Sequence, residues 1–235
     1  MPARGKFIAL EGIDGSGKRT QLEMLSRALR KRGVAHITVS FPHYEGFFGR
    51  MVARYLNGEF GSLSEVDAHF SALLYAGDRL ENKKQLEESL AQGKVILADR
   101  YIGSNLAHQG ARVPRRRVAE FLRWLEALEY GAYGLPREDV VIYLRVLPAK
   151  AQRMVGGKNA RGYTRHRHDL QEASLAHLKA AAHIYDQMAK RKNWRAVNCM
   201  ARNEHEMLAP EAIHREIMEV VESRILQNAR LSGKY

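Results

Sequence analysis

Residues 7–21, FIALEGIDGSGKRTQ, decide the fold. They read as a short apolar strand, a turn rich in glycine and the start of a helix. Such a turn directs backbone N–H groups and the positive end of the helix dipole at a bound anion. The stretch matches the phosphate-binding pattern G-x-x-x-x-G-K-[ST] at Gly12, Gly17 and Lys18, but Arg19 stands where the pattern has a hydroxyl that ligates Mg²⁺. It therefore predicts a phosphate-binding loop with an unusual residue beside the metal.

The predicted ATP-binding loop is one unbroken segment: Gly12, Ile13, Asp14, Gly15, Ser16, Gly17, Lys18, Arg19 and Thr20. Its glycines allow the tight turn, and Lys18 would reach the transferring phosphates as a point charge. We expect Arg19 to face the phosphates and neutralise charge that the missing hydroxyl would have helped the metal to neutralise. The alternative is that Arg19 bends out to solvent and the hydroxyl of Thr20 does the work.

Short apolar runs alternate with amphipathic stretches along the chain, which predicts an α/β fold with a parallel sheet. The candidate strands are residues 6–10, 36–40, 95–99, 140–146 and 194–199. The candidate helices are residues 18–32, 65–91, 116–129, 169–190 and 210–227. In the long helix 65–91 we expect Phe70, Leu73, Leu74, Leu80 and Leu86 to lie in the core. Residues 1–235 are predicted to form one domain that binds its ligands at the carboxyl ends of the strands.

Composition narrows the classes of partner and compartment. The 235 residues carry a net charge of +12, which favours polyanions such as nucleic acid, an anionic membrane surface or phosphorylated small molecules. The single cysteine, Cys199, excludes an intramolecular disulfide and is typical of an intracellular protein, so we expect a cytoplasmic location. No apolar run approaches the roughly 18 residues of a membrane span, and the N-terminal run is too short for a signal peptide.

Six motifs resemble those of thymidylate kinases and follow the order of that family. They are EGIDGSGK at 11–18, FPHY at 41–44, AGDR at 76–79, ADRYIGSN at 98–105, GLPREDVVIYL at 134–144 and DLQE at 169–172. The resemblance implies a P-loop kinase fold with about five parallel strands and a mobile lid. It also implies phosphoryl transfer from Mg²⁺·ATP to dTMP, giving dTDP for dTTP synthesis. A homodimer is implied as well, with apolar residues of helix 65–91 as candidates for its interface.

The resemblance assigns three residues to recognition of the thymine base. Phe41 would stack on the ring, Arg79 would hydrogen-bond the base edge, and Asn105 would offer both a donor and an acceptor. Two alternatives remain open from the residues themselves. Without the resemblance, Phe41 is expected to be a core aromatic at a strand end, and Arg79 to be one partner of an exposed ion pair on a helix rich in Glu.

Three further residues are assigned by the resemblance to the sugar and phosphate of dTMP. Arg100 would hold the phosphate, because a guanidinium fork matches its oxygens. Asp14 would contact the 3′-hydroxyl of the sugar or a metal-bound water. His108 stands where the family usually has Tyr or Phe against the deoxyribose, so we expect weaker discrimination against a 2′-hydroxyl.

The basic stretch GGKNARGYTRHRHD, residues 156–169, is predicted to belong to a lid over ATP at about residues 154–168. The family places a catalytic arginine either in the phosphate loop or in the lid. Positions 13–16 of the loop hold no arginine, so the lid would supply it, with Arg161 as first choice beside Lys18 and Arg100. A solvated loop would account for the composition equally well.

The resemblance implies a metal site that is built from carboxylates. Asp14 in the loop, Asp99 at the end of the third strand and Glu172 after the lid would bind Mg²⁺ directly or through its waters. For Glu172 the alternative is a cap at the start of a helix. The metal would otherwise be held by ATP oxygens and water.

The predicted chemistry needs little proton transfer. The acceptor phosphate has a second pKa of about 6, so it is already mostly dianionic at neutral pH and can attack without a general base. A deoxynucleoside kinase is a competing hypothesis, but it should need a carboxylate base after the second strand, and Glu45 is out of the expected position. A nucleic-acid-dependent ATPase or regulator is another, but Arg115–Arg117 is too short for a basic stripe, so we expect no specific nucleic acid.

Overall fold

The centre of the molecule is a parallel sheet. A computed structural model of the chain describes residues 4–156, 174–201 and 206–226. Within them, five strands form one sheet in the order β2-β3-β1-β4-β5, and every neighbouring pair is parallel. The strands are β1 Phe7–Glu11, β2 His36–Ser40, β3 Val95–Asp99, β4 Val140–Arg145 and β5 Trp194–Asn198. All five agree with the predicted strands to within one residue at each end.

Helices cover both faces of this sheet, as a parallel sheet requires. The α-helices of the described residues are α1 Lys18–Lys31, α2 Phe47–Leu56, α3 Ala68–Glu81, α4 Lys83–Ala91, α5 Ile102–Gly110, α6 Val118–Glu126, α7 Pro148–Gly156, α8 Leu175–Met188 and α9 Pro210–Val221. A 3₁₀ turn, Arg115–Arg117, precedes α6, and π-helical turns at Ala127–Ala132 and Glu222–Leu226 follow α6 and α9. Among the described residues, no helix is both long and apolar enough to cross a bilayer.

The prediction of one continuous helix over residues 65–91 is wrong, because the structure has two helices there. Asp67 caps α3 by accepting hydrogen bonds from the backbone N–H groups of His69 and Phe70. The first helix ends at Glu81, and Asn82 links it to α4. An Asx side chain at the N-cap competes with the helical backbone, which explains why the helix starts three residues later than predicted.

The predicted core of this segment is only partly correct. Leu74 and Leu86 are buried, as expected, but Phe70, Leu73 and Leu80 are 46%, 39% and 38% exposed. Their apolar spacing is helical, yet more than a third of each of these three residues is exposed to solvent. The physical reason is that periodicity marks an apolar stripe without saying what covers it.

The predicted helix 169–190 is described only from Ser174 onwards. Ser174 caps α8, its hydroxyl accepting from the backbone N–H of His177. Of the predicted lid, residues 154–156 form the end of α7. Residues 157–168 lie outside the described part of the chain, and so do Arg161 and Glu172.

The sheet order places the loops after β1 and β3 side by side. Leu10 of β1 is paired with Asp99 of β3, and the backbone N–H of Arg100 donates to the carbonyl of Leu10 at 3.0 Å. The glycine turn that follows β1 and the residues that follow β3 therefore meet at one edge of the sheet. This is the edge at which ligands of open parallel sheets bind.

Candidate active site

The glycine turn adopts a backbone that only glycine tolerates. Gly12, Gly15 and Gly17 have φ angles of 146°, 85° and 88°. A Cβ on Gly12 would lie 2.8 Å from the carbonyl oxygen of Leu144, and one on Gly15 would lie 2.3 Å from that of Ala151. Gly17 is the N-cap of α1 and offers no side-chain cap, so the first N–H groups of this helix are left for a bound anion. The predicted phosphate loop therefore has the backbone that its chemistry requires.

Lys18 lies over this loop rather than in solvent. Its buried Nζ donates to the carbonyls of Gly12 and Ile13, both at 2.9 Å. Burial, followed by the charge of Arg100, lowers the pKa of Lys18 to about 8, although nearby carboxylates oppose the shift. The ammonium is thus held at the phosphate loop and is close to losing its charge.

We expect ATP capture to weaken in alkaline solution because of Lys18. Only the protonated amine attracts phosphate, and its fraction falls about tenfold per pH unit above its pKa. The kcat/KM for ATP, which reports the free enzyme, should therefore decline above about pH 8 with a slope near −1 on a logarithmic plot. Steady-state rates between pH 6.5 and 10 test this, and a profile that stays flat to pH 10 would contradict it.

Arg100 is fixed at the same edge by three hydrogen bonds. Its Nη2 donates to Asp14 Oδ1 at 2.6 Å, and its Nη1 donates to the carbonyl of Gly12 at 3.1 Å and to Ser104 Oγ at 2.9 Å. Burial disfavours its charge, but the surrounding acidic groups, Asp14 foremost and then Asp99 and Glu11, together outweigh this and raise the pKa of Arg100. Its backbone has a φ of 67°, a left-handed conformation that is uncommon for a residue with a side chain. Such strain at this position indicates a functional constraint.

Asp99 brings an unpaired carboxylate oxygen to the site. Its backbone carbonyl accepts from the N–H of Phe41 at 3.0 Å. Its side-chain Oδ1 is buried and has no hydrogen-bond partner among the described residues. Buried polar atoms are rarely left in this state, so the oxygen is suited to a cation or to water bound to one.

A second polar cluster connects Arg79 and Asn105 through Glu129. Arg79 is buried, and its Nε and Nη2 donate to the two oxygens of Glu129 at 2.5 and 2.7 Å. Asn105 Nδ2 donates to Glu129 Oε1 at 2.9 Å and to the carbonyl of Ala72 at 3.0 Å. The alternative of an exposed ion pair at Arg79 is therefore wrong, because the pair is buried. Glu129, carried by the π-helical turn, was not singled out from the sequence.

The amide oxygen of Asn105 takes no part in the hydrogen bonds of this cluster. Both partners of its Nδ2 are acceptors, which fixes the orientation of the amide group. Its Oδ1 is buried and unpartnered among the described residues. The site thus holds a buried acceptor that only an N–H or O–H donor can satisfy.

Phe41 lies in the main hydrophobic core. The side chain is buried, and its ring centroid is 5.7 Å from that of Tyr101. Both oxygens of the buried Asp78 accept from the backbone N–H of His43 at 3.1 Å, which holds the segment after Phe41 in place. The core contacts agree with the alternative interpretation of Phe41, and its stacking on a base stays a prediction.

His108 is buried against a second histidine. Its Nδ1 lies 3.3 Å from His177 Nε2 on α8, and its Nε2 has no partner among the described residues. Burial lowers the pKa of His108 well below its usual value and that of His177 to about 4. Both rings are therefore neutral at pH 7, and the charges that act on His108 include those of Arg100, Asp14 and Lys18 at the phosphate loop.

Arg19 points away from the loop. Its side chain is 86% exposed and its Nε lies 3.2 Å from Glu23 Oε1, one helical turn along α1. The neighbouring Thr20 is also exposed. This is the geometry that the alternative interpretation expects of Arg19, so its side chain offers no charge to the loop in this structure. A contact between the Thr20 hydroxyl and phosphate stays a prediction.

Known proteins similar to this chain belong to one family. The family model described as "Thymidylate kinase" matches residues 10–213. The chain is 31% identical over 184 residues to the thymidylate kinase of Mycobacterium tuberculosis, covering 78% of this chain and 85% of that protein. It is 33% identical over 229 residues to a protein of Pyrococcus abyssi named "Probable thymidylate kinase", covering 95% and 98%.

A solved structure agrees in fold. The thymidylate kinase from Candida albicans superposes with a TM-score of 0.72 at 20% identity, covering 95% of this chain and 93% of that one. The parallel five-stranded sheet flanked by helices is therefore the P-loop kinase fold. With the family model matching most of its length, the chain belongs to the thymidylate kinase family of ATP-dependent kinases.

Proposed function

We propose that this chain catalyses the reaction of its family, the transfer of a phosphoryl group from ATP to dTMP to give dTDP and ADP, with Lys18 and Arg100 as its described catalytic cations. The observation that supports these roles most strongly is that both cations are held at the glycine turn, where β1 and β3 end. Such a site suits a reaction whose chief difficulty is the approach of two anions.

In the proposed mechanism, Lys18 and Arg100 bind different phosphates. Lys18 exchanges the carbonyls of Gly12 and Ile13 for oxygens of the transferring phosphate. Arg100 presents its guanidinium to the phosphate of dTMP, which it can bind through two parallel hydrogen bonds. The acceptor phosphate attacks without a general base because it is dianionic. Arg161 of the predicted lid is our candidate for a third cation.

We propose that Asp14, Asp99 and Glu172 are the carboxylates on the metal side. The buried, unpartnered Oδ1 of Asp99 fits a water of the Mg²⁺ shell, which usually retains several waters. When bound, Mg²⁺ neutralises charge on the ATP phosphates. The backbone N–H groups of Arg19 and Thr20, at the start of α1, are proposed to contribute to phosphate binding, while the side chain of Arg19 stays in solvent.

We propose that the base is recognised through Asn105, with Arg79 and Phe41 beside it. The free Oδ1 of Asn105 is an acceptor, and N3–H of thymine is a donor that matches it. Glu129 holds both Arg79 and the amide nitrogen of Asn105, so the direction of this acceptor is fixed. Cytosine has no hydrogen on N3 and would leave two acceptors facing each other.

A panel of acceptors tests this proposal. With Mg²⁺ and ATP, we expect dTMP and dUMP to be phosphorylated and dCMP to be rejected by at least about a hundredfold in kcat/KM. The purine nucleotides dAMP and dGMP should also be poor acceptors, because the pocket is proposed to hold one pyrimidine. Equal rates with dTMP and the purine nucleotides would contradict the assignment and favour a broad nucleotide kinase.

His108 should weaken the discrimination against ribose. A neutral imidazole with a free Nε2 can hydrogen-bond a 2′-hydroxyl, whereas the ring edge of an aromatic wall repels it. We expect His108→Tyr to raise the preference for dTMP over ribothymidine monophosphate by about tenfold in kcat/KM. Rates with both nucleotides for both enzymes measure this preference. A wild-type preference as sharp as that of the variant would rule the contact out.

We propose that the enzyme is a cytoplasmic homodimer. The exposed apolar stripe of α3, formed by Phe70, Leu73 and Leu80, is a surface that a second copy of the chain would cover. The buried, unpaired thiol of Cys199 fits a reducing compartment.

A further inference from the structure

Glu11 is a buried carboxylate that the proposed mechanism does not yet use. It is the last residue of β1, directly before Gly12, and its side chain is fully buried. The backbone N–H groups of Tyr101 and Ser104 donate to its Oε1 at 2.8 and 3.0 Å. Its Oε2 accepts from Ser104 Oγ at 2.6 Å and from Tyr185 Oη at 2.9 Å.

The carboxylate takes the place of a helix cap. Tyr101, the N-cap of α5, makes no side-chain cap bond, and the N–H groups of a first helical turn need acceptors. Glu11 supplies them from another element of the fold. The contact is tight, because a Cβ on Gly103 would lie 2.9 Å from Glu11 Oε1. The start of α5, and with it the residues after β3, is therefore fixed relative to the phosphate loop.

The same carboxylate fixes the direction of a hydroxyl. Glu11 Oε2 accepts from both hydroxyls, so Ser104 and Tyr185 each point a hydrogen at it. Burial, followed by the charge of Glu11, raises the pKa of Tyr185 well above its usual value, so this hydroxyl remains a donor. With its hydrogen directed at Glu11, Ser104 Oγ presents its lone pairs to Arg100 Nη1 at 2.9 Å.

We propose that Glu11 is a positioning residue for phosphoryl transfer, which acts through the Ser104 hydroxyl to hold the Arg100 guanidinium at the acceptor phosphate. The proposal rests on the function proposed above, because it takes Arg100 as the group that binds this phosphate. Tyr185 is the second donor that keeps the carboxylate in place, and it connects α8 to the same network.

The substitution Glu11→Gln would keep the shape of the side chain, but it would put an NH₂ donor in place of one of the two acceptor oxygens. If its amide oxygen faced Ser104 Oγ, its NH₂ would meet the two backbone N–H groups of α5. If it turned the other way, its NH₂ would meet the hydrogens of the Ser104 and Tyr185 hydroxyls, so the Ser104 hydroxyl would have to turn away from it, towards Tyr185 Oη or Arg100. The first orientation puts donor against donor at the start of α5, and the second turns the Ser104 hydroxyl, so Glu11→Gln should disturb Arg100 with little change in volume.

The experiment compares Glu11→Gln, Ser104→Ala and the double variant, with Glu138→Gln as a matched control. Glu138 is another buried carboxyl with a tyrosine donor, Tyr130 Oη at 2.6 Å, but it precedes β4 at the opposite end of the sheet. We expect Glu11→Gln to lower kcat/KM for dTMP by about tenfold or more, chiefly through KM, while the KM for ATP changes little. The control should match the wild type.

The double variant separates positioning from general destabilisation. If Glu11 acts through Ser104, then Glu11→Gln should cost little more in an enzyme that already carries Ser104→Ala. Multiplicative losses would overturn the proposal, and so would a Glu11→Gln enzyme with wild-type kinetics. If Glu11→Gln does not fold, Ser104→Ala still tests the proposal. Wild-type kinetics of Ser104→Ala would show that Glu11 does not act through the Ser104 hydroxyl. The variant Ser104→Thr, which keeps a hydroxyl, should have the activity that Ser104→Ala lacks. A wild type that makes no dTDP would overturn the proposed function together with this inference; a wild type that makes dTDP separates the two.

Discussion

Replacing Arg100 with alanine should lower kcat/KM for dTMP by about a thousandfold and leave the chain folded. Its guanidinium is held by Asp14, Gly12 and Ser104 at the end of the glycine turn, so it is positioned before any nucleotide arrives. Loss of a charge-assisted contact to the acceptor phosphate removes stabilisation from the transition state. Asp14 would also lose the hydrogen bond from Arg100 and add repulsion towards incoming phosphate.

A matched control for this variant is Arg4→Ala. Arg4 also pairs with an aspartate, Asp139 at 3.0 Å, but it precedes β1 at the other end of the sheet. We expect its kinetics to match the wild type. Steady-state rates with dTMP as varied substrate, together with thermal unfolding, measure both variants. Near-normal turnover by folded Arg100→Ala would show that Arg100 does not hold the acceptor phosphate.

Lys18→Met should lower kcat by about a hundredfold or more. Methionine keeps most of the length of the side chain but has no positive charge to neutralise the transferring phosphate. The variant should remain folded, because it removes a buried charge whose depressed pKa shows that the fold disfavours it. The carbonyls of Gly12 and Ile13 lose their donor, so we expect a modest loss of stability at the loop.

Lys6→Met is the control for this second variant. Lys6 lies directly before β1, pairs with Asp139 at 3.1 Å and is partly exposed, so its loss should not change kcat. Single-turnover rates with saturating ATP and dTMP compare the two. A Lys18→Met enzyme that keeps wild-type single-turnover rates would place the catalytic charge elsewhere.

The elements of the fold that could be predicted are those that show a clear pattern of apolar residues within a short stretch of sequence. The apolar runs of β1, β3 and β4 are buried along almost their whole length, so they stand out in the sequence. By contrast, α5 was not predicted, because all of its residues are buried, polar ones such as Asn105 and His108 included, and it has no continuous apolar stripe to reveal a helical period. The exposed Phe70 shows the converse, since an apolar stripe does not say whether the core or another molecule covers it.

The residues of the site likewise divide into those that the sequence predicted and those that it did not. Lys18 was predicted from the glycine turn itself and Arg100 from the family resemblance of its motif. Neighbouring parallel strands end at one edge of the sheet, which brings the two residues together. Glu11, Glu129 and Tyr185 carry no such signal. Their roles depend on contacts between residues 24 to 174 positions apart, which a single sequence does not specify.

In the proposed reaction, two anions meet at the ends of β1 and β3 and one phosphoryl group passes between them. The most direct measurement is to incubate the protein with Mg²⁺ and ATP in the presence of dTMP, thymidine or DNA, and to identify the phosphorylated product. We predict dTDP and ADP in equal amounts with dTMP, and no product from thymidine. Formation of dTMP from thymidine would instead show a deoxynucleoside kinase, and release of free phosphate that depends on DNA would show a nucleic-acid-dependent ATPase; either result without dTDP would contradict the account.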